Sequence, residues 1–273
     1  MKKFFLFLVI AIFVIIGCSN TKTTDLNQEV AKQNADKAET AISSADFESA
    51  EVKVPILIYH HIREASTSDP EENKQFIVSP ENLDKQLQYL KKNGFATMSL
   101  KNLADYFGGG FSLPDKPIII TFDDGLISQY VNALPLLQKY GFTATFYIFT
   151  NPIGRSKNYM SWEQIKSLDD LGMEIGSHGT YHLFLNKIGI NELEKEVSTS
   201  KKTIEEYLNK DITAFAYPFG AYNEQSVEAV KNFGYRSARN IINGNKHLKK
   251  DLYNLKGYFV TDDFSRFKNI VER

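Results

Sequence analysis

The sequence predicts an α/β fold, a distorted (β/α)7-type barrel, on three observations. Apolar strand-like runs alternate with helix-patterned runs about seven times from residue 52 onward. The links between them are short, as expected for parallel strands each returned by a helix. The residues that interrupt the apolar pattern (His60, Asp123, Asp124, His178, His182 and the turn at 217–220) all fall just after predicted strands. An open doubly wound sheet shares the alternation. In a barrel, however, those positions converge on the carboxyl-end face, where barrel enzymes keep their sites.

Taken in order, the first strand is VKVPILIYH (52–60), followed by the polar loop REASTSDPEENK. SPENLDKQLQYLKKNG (79–94) predicts a helix with Ser79 as N-cap, Pro80 at the first helical position and Gly94 as the stop. Its Leu83, Leu87 and Leu90 recur at helical spacing. FATMSL predicts a short strand, KNLADYF a short helix and GGGFSLPDKP a turn-rich link. PIIITF (117–122) reads as a buried strand, SQYVNALPLLQKYG (128–141) as a helix and FTATFYIF (142–149) as a strand. In SWEQIKSLDDLG, Ser161 and Gln164 form a capping box, and Ile165, Leu168 and Leu171 mark the buried face. MEIGSH is a strand, INELEKEVSTSKKTIEEYLN (190–209) a long amphipathic helix, TAFAYPFG a strand end, NEQSVEAVKNFG a helix and YRSARNI (235–241) a strand.

At 273 residues, 42% hydrophobic and 24% charged, the chain is globular in composition and has room for one barrel-sized domain. A net charge of -1 supplies no basic excess to neutralise phosphates, which argues against a nucleic-acid partner. The start, MKKFFLFLVIAIFVIIGCSN, has two lysines, an apolar run over 4–16 and then the single cysteine. This is a signal-peptide pattern, its apolar run shorter than the ~20 residues of a membrane span. Its end, IIGC, resembles the lipobox of bacterial lipoproteins. That resemblance implies that Cys18 is lipidated and becomes the mature N-terminus; the alternative is an uncleaved N-terminal anchor. Either reading places the remainder outside the cytoplasm. One cysteine allows no intrachain disulfide. Residues 18–51 hold too few large apolar side chains for a core and read as a disordered tether. The expected organisation is a signal peptide at 1–17, a tether at 18–51 and a folded domain at 52–273, monomeric.

The stretch ITFDDG places Asp123 beside Asp124 where a core strand ends. Like charges repel, and burying an unpaired polar group costs about 2–7 kcal/mol, so something must compensate. Helix capping accounts for one aspartate and not both. SHGTYH supplies His178 and His182, which with a carboxylate suit a divalent cation: a catalytic zinc keeps three protein ligands and one open position.

TFDDG, SHGTYH and the YPFG turn, in this order, resemble the polysaccharide deacetylases with a NodB homology domain, carbohydrate esterase family 4, from about residue 52 to the end. The resemblance implies the NodB barrel and a metal-dependent hydrolysis of N-acetyl groups on polymeric sugars. By position it implies Asp123 as catalytic base and Asp124, His178 and His182 as metal ligands. It also implies the Phe219 backbone N–H as oxyanion donor, and Tyr217 and Pro218 as substrate-binding residues. Zinc is the first expectation for the metal, with cobalt, nickel or iron also suited to a His2Asp site. PILIYHHI further resembles the subgroup of poly-β-1,6-N-acetylglucosamine deacetylases, which act on an exopolysaccharide of biofilms. In that subgroup the general acid comes from the first strand, here His60, with His61 and His247 as alternatives.

Three departures stand out. The family's third motif has an arginine where this chain has Ala216, and Arg236 or Arg239 on the next strand could replace it or lie at the surface. Gly179 stands where the family commonly has Ser or Thr, so a loop hydrogen bond is missing or supplied by Thr180. No late Leu-x-His motif is present, and His247 sits in a polar stretch that reads as a loop. Tyr59, Trp162, Tyr181, Tyr217 and Phe219 are candidate sugar platforms, with Trp162 expected to pack on a neighbouring helix. The resulting expectation is a lipid-anchored, extracytoplasmic N-deacetylase of a β-linked N-acetylglucosamine polymer, either exopolysaccharide or peptidoglycan. The alternative is a catalytically silent carbohydrate-binding lipoprotein.

Overall fold

The computed structural model describes residues 50–273; the predicted signal segment 1–17, Cys18 and the tether through residue 49 lie outside them. The described chain opens with β1 (Val52–Lys53), β2 (Ile56–Tyr59) and β3 (His61–Ile62). The stretch expected as a plain loop carries a one-turn helix, α1 (Glu71–Lys74), and leads into β4 (Ile77–Val78), which pairs in parallel with β3. Arg63 ties that excursion by two hydrogen bonds, 2.7 and 2.8 Å, to the Asp69 carboxylate.

Helix α2 (Pro80–Lys92) starts where its Ser79 cap predicts and buries Leu83, Leu87 and Leu90. Next come β5 (Ala96–Thr97), α3 (Leu100–Phe107) and β6 (Pro117–Phe122). The single helix expected over 128–141 is in fact a π-helical turn, Gln129–Ala133, running into α4 (Leu134–Tyr140). Pro135 has no N–H and its ring would press on the carbonyl four residues back. The widened turn just before it, closed by the Leu134 N–H on the Gln129 carbonyl, takes up the chain there.

β7 (Thr145–Ile148) precedes α5 (Trp162–Asp170), which has the predicted Ser161–Gln164 capping box. Ile165 and Leu168 are buried, but Leu171 is not: it is the C-cap, outside the helical repeat, and is 46% exposed. Trp162 stacks on Tyr207 of the next helix at 4.1 Å and 2°. β8 (Glu174–Ser177), α6 (Ile190–Leu208), β9 (Ala214–Ala216), α7 (Glu224–Asn232) and β10 (Ser237–Arg239) complete the predicted alternation. Beyond it, β11 (Lys246–His247), β12 (Tyr258–Phe259) and α8 (Phe264–Val271) lie in sequence too short in period to read. His247, expected in a loop, pairs with Val52 across the antiparallel β1–β11 ribbon.

The main sheet runs β10-β9-β8-β7-β6-β2-β12, parallel throughout, with β5 on the early part of β6. The segment 252–259 bridges its two ends. It exchanges backbone hydrogen bonds with Ala238 of β10 through Leu252 and Leu255, and pairs Tyr258 and Phe259 with β2.

Period-2 alternation sorts the strand residues into two clusters. Leu57, Ile118, Ile120, Phe122, Phe146, Ile175 and Phe215 pack in the large cluster with the helices. Ile56, Ile119, Tyr147, Ala214 and Ala216 pack in a second cluster with Leu100, Leu103 and Phe107 of α3. Asp123, two residues past Thr121 and four past Ile119, continues the second phase, as does His178 two residues past Gly176. Gly176 in that phase has no side chain for a reason: a Cβ there would sit 2.5 Å from the Tyr147 ring.

Candidate metal and active site

The carboxyl ends of β2, β6, β8, β9 and β10 open into a cleft of about 400 Å³ lined by His60, Asp123, Asp124, His178, His182 and Phe219, among others. Strand pairing runs beyond the strands to hold its walls. The Asp123 N–H donates to the Tyr59 carbonyl, His178 N–H to the Ile148 carbonyl and Tyr217 N–H to the Arg239 carbonyl. Of the four non-glycine residues with positive φ among the described residues, three are here: Asp124 (78°), His182 (60°) and Phe219 (58°). Such backbone costs about 1–3 kcal/mol per residue and persists where the surroundings over-determine it.

Asp124, His178 and His182 bring one ligand atom each within 4.8 Å of one another. His178 Nδ1 lies 2.7 Å from the Ala216 carbonyl. A carbonyl only accepts, so Nδ1 carries the proton and Nε2 presents its lone pair. That Nε2 lies 3.2 Å from His182 Nε2 and 3.8 Å from Asp124 Oδ1, with His182 Nε2 3.5 Å from the same oxygen. Asp124 Oδ1 is buried and has no hydrogen-bond partner. Burial, reinforced by the adjacent Asp123 charge, pushes the Asp124 carboxyl up to about 7. Burial lowers His178 to about 3 and also lowers His182, so both imidazoles are neutral. An orphaned carboxylate oxygen facing the ring nitrogens of two imidazoles, His178 with its Nε2 lone pair turned inward, is a donor set that fits a divalent cation.

Asp123 is 2% exposed and differently treated. Burial alone would raise its pKa, but Arg239, with help from His178 and His60, outweighs it and holds the carboxyl below its ordinary range. Arg239 Nη2 reaches both Asp123 oxygens, at 2.6 and 2.7 Å, from a fully buried position on β10. Its Nη1 donates to the Asn240 carbonyl, and its guanidinium lies 5.1 Å from the Tyr147 ring centroid. Of the two candidate arginines, then, Arg239 reaches the carboxylate. Arg236 instead pairs with Asp105, 2.7 Å away and 43% exposed.

His60 Nε2 is 3.9 Å from Asp123 Oδ2. Its ring packs against Phe76 and Phe259, at 5.1 and 5.4 Å, and those two rings also meet edge-on at 5.7 Å. Burial, against the attraction of Asp123, lowers it to about 4. His61 lines the same cleft. His247 does not: its Nε2 donates to the Val54 carbonyl at the opposite, amino end of β2.

Phe219 lines the cleft in the 3-10 turn Pro218–Gly220 and stacks on Phe184 at 3.9 Å. Tyr217 is 1% exposed, stacked on Tyr222, with its hydroxyl donating to the Tyr253 carbonyl. It forms wall, and offers no free face for a sugar. Pro218, expected to bind substrate, is buried and does not line the cleft; its part is to open the turn. Tyr59 is likewise buried, its hydroxyl donating to Gln86.

Two contributors have no place in the sequence reading. Gln129, from the π-helical turn, donates through Nε2 to the His60 and Asp123 carbonyls and so ties the two strand ends together. Glu196, on α6, is 2% exposed and accepts from the Tyr181 N–H at 2.7 Å. A signal for Glu196 existed: it lies three residues past Leu193 and four before Ser200, on the buried stripe of α6.

The polysaccharide deacetylase family profile matches residues 112–238. The crystal structure of a Bacillus anthracis protein assigned to the polysaccharide deacetylases is 30% identical at a TM-score of 0.71, covering 81% of this chain and 69% of that one. The chain belongs to the polysaccharide deacetylase family. A second solved family structure, the Streptococcus pyogenes deacetylase PplD in complex with acetate, gives a TM-score of 0.75 at 28% identity, covering 82% of this chain and 98% of that one. The poly-β-1,6-N-acetyl-D-glucosamine N-deacetylase of Staphylococcus epidermidis is 29% identical over 256 residues, 86% of this chain and 84% of that protein. A Bacillus subtilis protein assigned to the polysaccharide deacetylases is 31% identical over 184 residues, 67% of this chain and 63% of that protein, so the chain spans under two thirds of that relative's length.

Proposed function

We propose that this chain is a hydrolytic N-deacetylase of a β-linked N-acetylglucosamine polymer, working outside the cytoplasm with a divalent cation, zinc foremost, held by Asp124, His178 and His182. The observation that carries the reading is the split between the two adjacent aspartates: Asp124 faces two imidazole nitrogens with an orphaned oxygen, while Asp123 faces Arg239. A pure binding site has no use for the second carboxylate.

A cation in that position supplies Lewis acidity towards an acetamide carbonyl and towards water. Asp123, kept ionised by Arg239, is the general base that accepts a proton from the attacking water. The two bonds to one guanidinium fix the direction of its carboxylate. His60, neutral at rest and 3.9 Å from Asp123, takes up the proton that Asp123 received from the water and delivers it to the leaving amine, and the Phe76 and Phe259 rings set its orientation. The Phe219 N–H donates to the oxygen on which charge develops. The Staphylococcus epidermidis relative supports poly-β-1,6-N-acetylglucosamine as the polymer and, with the signal-like N-terminus, an extracytoplasmic place of work. No helix among the described residues is long and apolar enough to cross a membrane; attachment through a lipid on Cys18, outside those residues, is part of the proposal. The carbohydrate-binder alternative drew on the arginine missing at Ala216, a contact that Arg239 makes from β10.

Acetate release from N-acetylglucosamine polymers, with and without chelator, tests the reading. Wild type is expected to release acetate only without chelator. Asp123→Asn and His60→Ala are each expected to lose about 10²–10⁴-fold. Cation binding with no acetate release from any polymer would install the binder instead, and full activity of Asp123→Asn would overturn the division of roles.

A further inference from the structure

The loop 177–183 presents two of the three proposed ligands, yet it contains Gly179 where a hydroxyl side chain would be expected to brace it. Gly179 has φ +82°, and a Cβ added there would lie 2.8 Å from Glu196 Oε1. The space a side chain would occupy is therefore filled from outside the loop. Glu196 Oε1 accepts from the Tyr181 N–H at 2.7 Å, and the amides of Leu183, Thr180 and His182 also face the carboxyl; burial raises its pKa, and these amides work against that rise. Successive backbone N–H groups wrapped around an anion form a nest. Here the anion belongs to the protein. Thr180 adds a second tie to the same helix, its hydroxyl donating to the Glu196 carbonyl at 3.0 Å. Upstream, the Ser177 hydroxyl accepts from the Gly179 N–H at 3.2 Å and donates to Ser200 on α6 at 2.7 Å.

We infer that Glu196 is the positioning residue of the cation site: its carboxylate organises the 179–183 backbone and so sets His182 against His178 and Asp124, in the place left by the missing side chain at Gly179. The inference rests on the cation reading above. His182 holds a left-handed conformation, φ 60°, which a non-glycine residue keeps only under constraint. The carboxylate that gathers the amides of 180–183 is that constraint. Glu196 touches neither substrate nor cation; it acts through the loop.

The test is a cobalt(II) titration of the purified protein followed by its visible d–d bands, which report coordination geometry. Glu196→Ala is expected to weaken cobalt affinity about 10–100-fold, the usual cost of losing a group that orients a ligand, and to change the band shape. Val197→Ala, which trims core packing one residue along α6, is expected to lower the melting temperature while leaving affinity and bands unchanged. Gly179→Ser alone is expected to weaken binding, because its Cβ meets the Glu196 carboxylate. Combined with Glu196→Ala, where that space is vacated and the serine hydroxyl can brace the loop, it is expected to bind cobalt more tightly than either single variant. Wild-type affinity and spectrum in Glu196→Ala would overturn the inference, as would a double variant no better than the product of the two single losses. Should Glu196→Ala not fold, Gly179→Ser carries the test: unchanged bands there refute the inference. Absence of cobalt binding by wild type would instead refute the cation reading itself.

Discussion

The two ends of the parallel sheet each carry a buried histidine and an arginine, and they use them in opposite ways. At the carboxyl end, His178 spends Nδ1 on the Ala216 carbonyl and turns Nε2 towards His182 and Asp124. At the amino end, His247 is equally buried, at 1%, but spends Nε2 on the Val54 carbonyl within the β1–β11 ribbon. Burial lowers the pKa of both. A depressed histidine pKa therefore does not distinguish a ligand from a structural residue; what faces the second ring nitrogen does. The arginines repeat the lesson. Arg239, at the end of β10, is enclosed with Asp123, whereas Arg236, just before β10, meets Asp105 in water.

The largest expected effect breaks the arginine half of that comparison. Arg239→Met should cost about 3–5 kcal/mol in urea unfolding, because it leaves the Asp123 carboxylate buried without its partner. Arg236→Met, at an exposed pair, should cost no more than about 1 kcal/mol. Equal losses would mean that enclosure is not what separates them. Next in size is the histidine half. His178→Ala should weaken divalent cation binding by about 100-fold, roughly 2.7 kcal/mol, as measured by calorimetric titration. His247→Ala should leave cation affinity unchanged and lower only the melting temperature.

A smaller effect follows from His60. Its folded-state pKa lies near 4, below the ordinary 6.5, so the unfolded chain binds the proton first as pH falls. The stability this neutral histidine contributes is complete above pH 6.5 and is lost as pH falls towards 4. His60→Gln should therefore flatten the melting temperature against pH across that window; an unchanged slope would exclude His60 as its source. The smallest effect concerns α5, where Leu171→Ser should change stability within about 0.5 kcal/mol while Leu168→Ala costs about 2–5, by thermal unfolding.

Legibility followed sequence distance. The pairs Asp123–Asp124 and His178–His182 could be read because each is local and each ends an apolar run whose period marks a strand. The seven-fold alternation likewise stood out over the predicted elements. Residues 242–273 did not: two-residue strands such as β11 and β12 carry no period, and the pairing that makes them strands is with residues about 200 positions away. In the run YRSARNI nothing local tells Arg236 from Arg239. They differ in whether the strand has begun, and so in which end of the sheet each reaches.

By itself the sequence determined the chemistry on offer, a parallel α/β scaffold with carboxylates and imidazoles at strand ends, because strand period and local motifs are short-range properties. Tertiary structure alone decided how those groups are held. Arg239 meets Asp123 across 116 residues, Gln129 reaches in from a π-helical turn, and Glu196 fills the space beside Gly179 from a helix 17 residues further on. Each of these contacts is set by sheet register and helix rotation. Those depend on the packing of the whole domain, and no short stretch of the chain records them.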